Sequence, residues 1–401
     1  MTYSAPMILH SRRARSMLRP AASHSAVARV ALVVALALFS SVRADAQMVR
    51  GTVRDAAGLH VPGALVELRR GDRHVTRVLA DGEGRYRLFA PSGGQFDVRV
   101  LRVGYRAMPA VPIDVPAAGT LVRDLTAPMV VVRLHDVDVR ADKRCIVRPD
   151  EGVLAASLWE EARKALYATD IVRSSPGYSA RVRNYERDYE RDLQRITADS
   201  EWVENATVRK NPYFAIGADV LADSGYFRTD TSGENTVTTY YAPDVRVLVD
   251  DRFTATHCFR AEVGARADEG LIGLEFEPVE GRELPDVRGT LWLDRQSAEL
   301  RSLDYRYTEL PRGLASDRSG GHLEFRRLPN GVWIVRSWWI RMPVFLTVRR
   351  PALGNHLPGG AAIHREWRTQ SLAGFRERGA EVILTGEGRT SQAGEARDPS
   401  R

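Results

Sequence analysis

Between residues 51 and 105 the chain alternates apolar and polar residues in short runs that turn-forming residues interrupt at regular intervals. Apolar residues recur at every second position in runs such as 64–68 and 96–103, and Asp, Gly and Pro cluster between runs, as at 55–58 and 81–84. A period of two is typical of strands with one buried face, and the clusters supply turns. This spacing predicts a small all-β sandwich.

The same residues resemble the carboxypeptidase regulatory-like domain, a transthyretin-like, carbohydrate-binding-like sandwich of seven strands. The likeness rests on G-T-V-x-D from Gly51, V-P-G-A-L-V-E-L from Val61, L-A-D-G-E-G-R-Y-R-L from Leu79, G-Q-F-D-V-R-V from Gly94 and V-G-Y ending at Tyr105. The resemblance places the module at about residues 48–140. It implies a fold and no activity, because this domain is an accessory part of the enzymes that carry it.

Residues 1–46 have the features of a secretory signal peptide, with arginines before an apolar run at 30–39 and small residues just before a cleavage site between Ala46 and Gln47. We therefore expect export to the periplasm, to the outer membrane or out of the cell. No apolar run approaches the roughly 20 residues of a transmembrane helix. The six arginines and one aspartate of this leader account for +5 of the formal net charge of +7. The remainder is nearly balanced and carries no basic stripe for nucleic acid.

Two cysteines, Cys145 and Cys258, lie outside the leader. In an oxidising compartment, two cysteines without metal-ligand spacing predict one disulfide, and two buried free thiols are the alternative. The chain-entropy estimate for closing a loop of this length is about 4–5 kcal/mol of stabilisation.

The rest of the chain predicts a helix followed by many strands. Over residues 150–168, Leu154, Leu158, Ala162 and Leu166 recur at helical spacing, with Glu160 and Lys164 as a pair on the opposite, polar side. Strand-like runs follow, and Asn330-Gly331 between two apolar runs predicts a hairpin. We therefore expect a mainly β protein: a seven-strand sandwich at 47–140, a linker and amphipathic helix at 141–170, a larger antiparallel β-sheet domain with one or two covering helices at 171–386, and a disordered tail at 387–401.

Within that larger domain, residues 289–294 and 297–305 resemble a hairpin of periplasmic lipoprotein-carrier proteins, whose curved, half-open sheet has helices over its concave face. Residues 333–340 alternate Trp333, Val335, Ser337 and Trp339 against another apolar set, so the strand is buried on both sides or lines a cavity on one. The first interpretation gives a central strand under the helix. The second gives an apolar ligand site lined by Trp292, Trp333 and Trp339.

The sequence offers no catalytic constellation. Zinc-peptidase motifs of the H-x-x-E and H-E-x-x-H type are absent, as is the G-x-S-x-G motif of serine hydrolases. The pairs His322/Glu324 and His364/Glu366 have strand spacing, for which separate surface residues are the simpler interpretation. The run Asp81-Gly82-Glu83-Gly84 is either a weak calcium loop or a plain hairpin turn, and the turn is favoured because the ligands are few. We expect neither a catalytic residue nor a metal or cofactor.

Three functions remain open from the sequence. The first is a noncatalytic, exported bacterial envelope protein that binds or assembles through its sandwich with a protein or glycan partner. The second is a periplasmic carrier of an apolar ligand in the C-terminal domain. The third is an accessory subunit of an envelope hydrolase.

Overall fold

The computed structural model describes residues 47–132, 134, 153–174, 179–207, 215–232, 235–310, 318–351 and 366–383. The predicted signal peptide, most of the linker and the predicted tail lie outside these residues. The first strand begins at Gln47, directly after the predicted cleavage site. No helix within the described ranges is both long enough and apolar enough to span a membrane.

The first eight strands form the predicted sandwich. They are β1 (Gln47–Arg54), β2 (Leu65–Arg70), β3 (Arg73–Leu79), β4 (Arg85–Ala90), β5 (Gly94–Leu101), β6 (Val111–Val115), β7 (Thr120–Val122) and β8 (Leu125–Thr126). The first sheet has the order β4-β1-β7, with β8 also paired to β1, and the second has the order β3-β2-β5-β6. Because β7 and β8 run along β1 in succession, they act as one interrupted strand, which leaves the seven strands that the resemblance implies. Val49, Leu88, Val66 and Val98 lie in the core between the sheets.

The second region contains a long helix, three short helices and eleven strands among the described residues. They are α1 (Val153–Ser174), β9 (Ser179–Tyr189), β10 (Ile196–Thr207), α2 (Ala218–Ser224), β11 (Phe227–Ser232), β12 (Asn235–Tyr240), α3 (Val245–Leu248), α4 (Asp251–Thr256), β13 (His257–Glu262), β14 (Leu271–Pro278), β15 (Asp286–Asp294), β16 (Leu300–Thr308), β17 (Gly320–Arg327), β18 (Trp333–Pro351) and β19 (Glu366–Ile383). Nine strands form one sheet in the order β10-β9-β19-β18-β17-β16-β15-β14-β13, and β11 and β12 form a two-stranded sheet. All pairings in the nine-stranded sheet are antiparallel. The predicted fold class is confirmed, including the hairpin at Asn330-Gly331, which joins β17 to β18.

Helix α1 is buried on two sides. Leu158, Ala162 and Leu166 pack with residues of the nine-stranded sheet in one core. The predicted pairing of Lys164 with Glu160 on an exposed face is wrong: Lys164 is only 2% exposed and its ammonium lies 2.6 Å from Glu161. The physical reason is that the outer face of the sandwich's second sheet covers the polar side of the helix, where the Arg77 guanidinium lies 3.7 Å from the centre of the Tyr167 ring.

Polar contacts fasten the sandwich to this helix. The backbone N–H of Gly104 donates to Glu161 at 2.8 Å, and the Lys164 ammonium donates to the carbonyl of Tyr105 at 2.8 Å. The V-G-Y that closes the module is thus part of the junction. A second contact joins the turn at Gly63 to the β17–β18 hairpin, where a Cβ on Gly63 would meet the carbonyl oxygen of Gly331 at 2.1 Å.

A buried carboxylate lies on the covered sheet. Glu67 on β2 is 2% exposed, and its two oxygens lie 2.8 Å from the guanidinium of Arg77 on β3 and 2.6 Å from that of Arg99 on β5. Burial acts to raise the pKa of Glu67, but the two guanidiniums outweigh it, so the pKa lies below its usual value. The cross-strand ion triplet therefore holds an ionised glutamate next to α1.

We expect Glu67→Gln to lower the free energy of unfolding by about 2 kcal/mol at neutral pH, because charge-assisted hydrogen bonds are lost. Since the folded pKa lies below the unfolded value of about 4.3, the contribution of Glu67 is complete above that value and is lost as the pH falls through the folded pKa. Urea unfolding of both proteins from neutral pH downward measures this convergence. The control Glu83→Gln removes an exposed partner of Arg85 and should change stability by less than about 1 kcal/mol. If the two proteins differed in free energy of unfolding by the same amount at all pH values, Glu67 would not be the ionised partner of the two arginines.

Candidate functional site

The three tryptophans proposed as a ligand lining do not share one surface. A bulge in the β17–β18 pairing lets Glu324 face Ser337 while the next residue, Phe325, faces Val335. The extra residue reverses the alternation, so Trp333 lies in the helix-covered core with Trp338 and Ile340. Trp339 faces the opposite side of the sheet. The predicted set is therefore divided, and Trp333 is a core residue of a strand that α1 covers on one face.

Trp292 and Trp339 lie on the sheet face opposite the helix-covered core, where both join a polar network. Asp304 accepts hydrogen bonds from Trp292 Nε1 at 2.9 Å and from His322 Nδ1 at 2.7 Å. The His322 ring stacks beside Trp339, with ring centroids 6.2 Å apart. Burial acts to raise the pKa of Asp304, but the His322 and Trp292 hydrogen bonds outweigh it and lower the pKa.

Arginines cover the rings of both tryptophans. The guanidinium of Arg266 lies 5.2 Å from the Trp292 ring centre, and that of Arg341 lies 4.8 Å from the Trp339 ring centre. Arg341 also binds Glu377 at 3.0 Å through Nε. A ligand tail would have to displace paired cations from these rings, so this face does not favour an apolar ligand.

The candidate metal-binding groups are separate in the described parts of the chain, where no three His, Cys, Asp or Glu side chains come together as metal ligands. His322 pairs with Asp304 and not with Glu324, whose carboxylate accepts from the Ser337 hydroxyl at 2.8 Å. His364 lies outside the described residues.

The acidic run at 81–84 is a tight turn that links β3 to β4, and it is not a hairpin because these two strands belong to different sheets of the sandwich. Asp81 Oδ1 accepts the backbone N–H groups of Glu83 at 3.0 Å and Arg85 at 2.9 Å, and Oδ2 binds the Arg85 guanidinium at 2.9 Å. Burial acts to raise the pKa of Asp81, but these bonds and the Arg85 charge together outweigh it and lower the pKa. The structure therefore shows the turn that the sequence favours over a calcium loop.

The predicted disulfide stays a prediction. Cys258 is buried at the start of β13, with 3% exposure. Its predicted partner, Cys145, lies outside the described residues.

The first sheet of the sandwich keeps an exposed outer face. Arg50 on β1 and Arg87 on β4 are directly opposed in this sheet and both are exposed. Neither guanidinium has an acidic partner among the described residues. Val122 on β7 lies opposite Arg50 on its other side and is 63% exposed, and Phe89 is 58% exposed. Like charges in directly opposed positions repel each other, so an anion bound between these two arginines would relieve their repulsion.

A cleft of about 870 Å³ lies beside the two arginines. Arg50, Arg85, Arg87, Asp81 and Asp124 supply its charged groups, and Val78, Leu79, Ala80, Ile171, Val172 and Val332 supply apolar surface from β3, α1 and the hairpin before β18. Small-molecule sites have volumes of about 300–1,000 Å³ and mainly apolar walls with a few polar groups. This cleft between the sandwich and the C-terminal domain is the candidate functional site.

A second cleft, of about 400 Å³, lies along α1 and includes Trp159, Arg163 and Tyr167. The guanidiniums of Arg77 and Arg163 lie 3.7 Å and 5.8 Å from the centre of the Tyr167 ring, so that ring already has cationic partners within the chain. A third, of about 10 Å³, holds no more than one water. Trp292, Trp333 and Trp339 line none of these three.

Comparison with known proteins identifies the first module. Residues 48–128 match the model of the carboxypeptidase regulatory-like domain. No curated protein is similar enough in sequence to count as a relative.

Similar solved structures include catechol 1,2-dioxygenase from Acinetobacter (15% identity over 25% of this chain and 58% of that one, TM-score 0.18), a DUF3823 family protein from Bacteroides ovatus (10%, 58% and 91%, 0.18) and BcpA, the major pilin subunit of Bacillus cereus (8%, 72% and 91%, 0.18). The chain thus spans little more than half of the dioxygenase. Likeness at these TM-scores carries no functional argument. The resemblance of the C-terminal domain to lipoprotein carriers finds no support here.

Proposed function

We propose that the protein is a noncatalytic, exported bacterial envelope protein that binds a ligand or partner through its regulatory-like sandwich. The observation that carries this proposal is the unequal use of the two sheets of the sandwich. The second sheet is covered by α1, whereas the first leaves Phe89 exposed and presents Arg50, Arg87 and Val122 to the cleft. A binding role of the module is therefore assigned to the first sheet and not to the loops that dock on the C-terminal domain.

The chemistry of the cleft supports binding rather than catalysis. The cleft groups that have no acidic partner among the described residues are guanidiniums, which carry N–H donors and no acceptor. Asp81, the nearby carboxylate, is already held by Arg85 and two backbone N–H groups. The second carboxylate of the cleft, Asp124, accepts the backbone N–H of Thr52. The cleft can thus hold an anion at its guanidiniums, and both of its carboxylates already accept hydrogen bonds from the chain.

Export is proposed from the basic leader, its apolar run and the position of Gln47 at the start of β1.

The alternative function, a periplasmic carrier of an apolar ligand, has one observation in its favour. The C-terminal domain contributes Ile171, Val172 and Val332 to the apolar wall of the cleft. Both proposals therefore concern the same cleft, and neither concerns the tryptophans.

The test is to express the full chain with its leader in a Gram-negative host, sequence its N-terminus and record native mass spectra of the envelope fraction. We expect a chain that begins at Gln47 and carries a bound mass. The variant Val122→Glu, which places a carboxylate beside Arg50, should lose that mass. The control Val130→Glu changes a valine of similar exposure, 60%, that does not line the cleft and should keep it. Retention in the cytoplasm would refute export, and a spectrum without bound mass would refute the binding role.

A further inference from the structure

Two arginines of the cleft indicate the chemistry of one end of the ligand. Arg50 and Arg87 are exposed, directly opposed on neighbouring antiparallel strands and without an acidic partner among the described residues. The next arginine on β4, Arg85, is bound to Asp81, so the acid of the turn does not serve them. Planar guanidiniums bind carboxylate and phosphate oxygens in bidentate pairs. The geometry at this end suits a single anionic group held by both arginines.

The apolar wall beside the arginines indicates the chemistry of the other end of the ligand. Val78, Leu79 and Ile171 are half-buried, and Val172 and Val332 are nearly covered, with 2% and 7% exposure. They come from β3, α1 and the hairpin before β18, so only the docked arrangement of the two domains brings them together. Burial of apolar ligand surface here gains about 25 cal/mol per Å². A small inorganic anion would leave this wall unused, and a neutral glycan would leave the two cations unpaired.

We propose that the ligand of the cleft is an anionic amphiphile, a long acyl chain with a carboxylate or phosphate head. The head binds Arg50 and Arg87, and the chain lies along the half-buried surface that Val78, Leu79 and Ile171 form. This inference rests on the proposed binding function and names its ligand class. It places the apolar site at the junction of the domains instead of inside the C-terminal sheet.

Calorimetric titration of the delipidated full chain with defined probes tests the proposal. Oleate and oleoyl lysophosphatidate share the acyl chain and differ in the head, oleyl alcohol has the chain alone, and inorganic phosphate has the anion alone. We expect oleate or lysophosphatidate to bind at least about tenfold more tightly than oleyl alcohol and than inorganic phosphate. The tighter of the two anionic lipids identifies the head. Equal affinity for oleate and oleyl alcohol, or for inorganic phosphate and the lipids, would overturn the proposal.

Matched variants locate the binding. The double variant Arg50→Ala/Arg87→Ala should weaken binding of the anionic lipid about tenfold or more and leave oleyl alcohol unchanged. The chain offers a matched control in Arg288→Ala/Arg306→Ala, another directly opposed and exposed arginine pair, which lies on β15 and β16 away from the cleft. Equal losses in both double variants would overturn the site. If none of the probes binds while envelope-purified protein still carries a bound mass, the ligand class is refuted and the binding function is not.

Discussion

Replacing Lys164 by Met is expected to lower the free energy of unfolding by about 3–5 kcal/mol, the usual cost of removing one partner from a buried ion pair. Lys164 and Glu161 are each 2% exposed, and the Lys164 ammonium holds both the Glu161 carboxylate and the Tyr105 carbonyl. Methionine keeps most of the side-chain volume, so the loss is electrostatic. Urea unfolding measures it.

The pH dependence of this loss distinguishes an uncompensated charge from a packing defect. Burial already raises the pKa of Glu161, against the effect of Lys164 and the Gly104 N–H. Without Lys164 that pKa rises further above the unfolded value, so the variant loses stability as the pH increases through this interval. The difference between variant and parent should therefore be larger at alkaline than at acidic pH. A packing defect would give the same difference throughout.

Two further variants act as controls. Glu161→Gln/Lys164→Met removes both charges and keeps an acceptor for Gly104, so it should recover more than half of the loss. Arg163→Met changes the residue next to Lys164 and breaks the partly exposed ion pair between Arg163 and Glu160. Loss of that pair should lower the free energy of unfolding by about 1 kcal/mol or less. If the single and double variants of the buried pair are equally unstable, Lys164 contributes packing and not charge compensation.

The sequence was sufficient for the sandwich, the long helix and the β17–β18 hairpin because each rests on local chemistry, whereas α2, α3, α4 and β10 were not predicted. Strand alternation with Gly and Asp turns located the sandwich, Asn330-Gly331 located a hairpin, and the spacing of Leu154, Leu158 and Leu166 located α1. Local patterns also identified the turn at Asp81, since its side chain bonds to its own backbone neighbours.

The sequence was insufficient wherever two distant segments meet. Glu160, Glu161, Arg163 and Lys164 form a charged run that is typical of a solvated helix face, and nothing within the helix indicates that a sheet covers it. The bulge opposite Phe325 moves Trp333 to the core by one inserted residue, which period-two alternation cannot anticipate. The cleft combines β1, β3, β4, α1 and the β17–β18 hairpin. The local sequence pattern that belongs to the cleft is the alternation of Arg85 and Arg87 along the outward side of β4. Arg50 comes from a different strand, β1.

Replacing Gly104 by Ala is expected to lower the free energy of unfolding by about 3 kcal/mol or more, because two costs combine. The residue has a φ of +81°, which disfavours any side chain, and a Cβ there would lie 2.4 Å from the carbonyl oxygen of Ser297 in the C-terminal domain. Relief of that clash requires the two domains to separate at this point. The Gly104 N–H would then lose its bond to Glu161, so hydrogen exchange at this amide should accelerate.

Gly58 provides a control with the same backbone conformation. Its φ is also +81°, but no atom lies within 4 Å of a Cβ placed on it. Gly58→Ala should therefore cost only the conformational strain, about 1 kcal/mol, and the difference between the two variants measures the contact with Ser297. Since the V-G-Y motif closes the sandwich module and Gly104 here meets a second domain, a large difference would assign this glycine to docking. Equal losses would show instead that Gly104 serves only the turn of its own module.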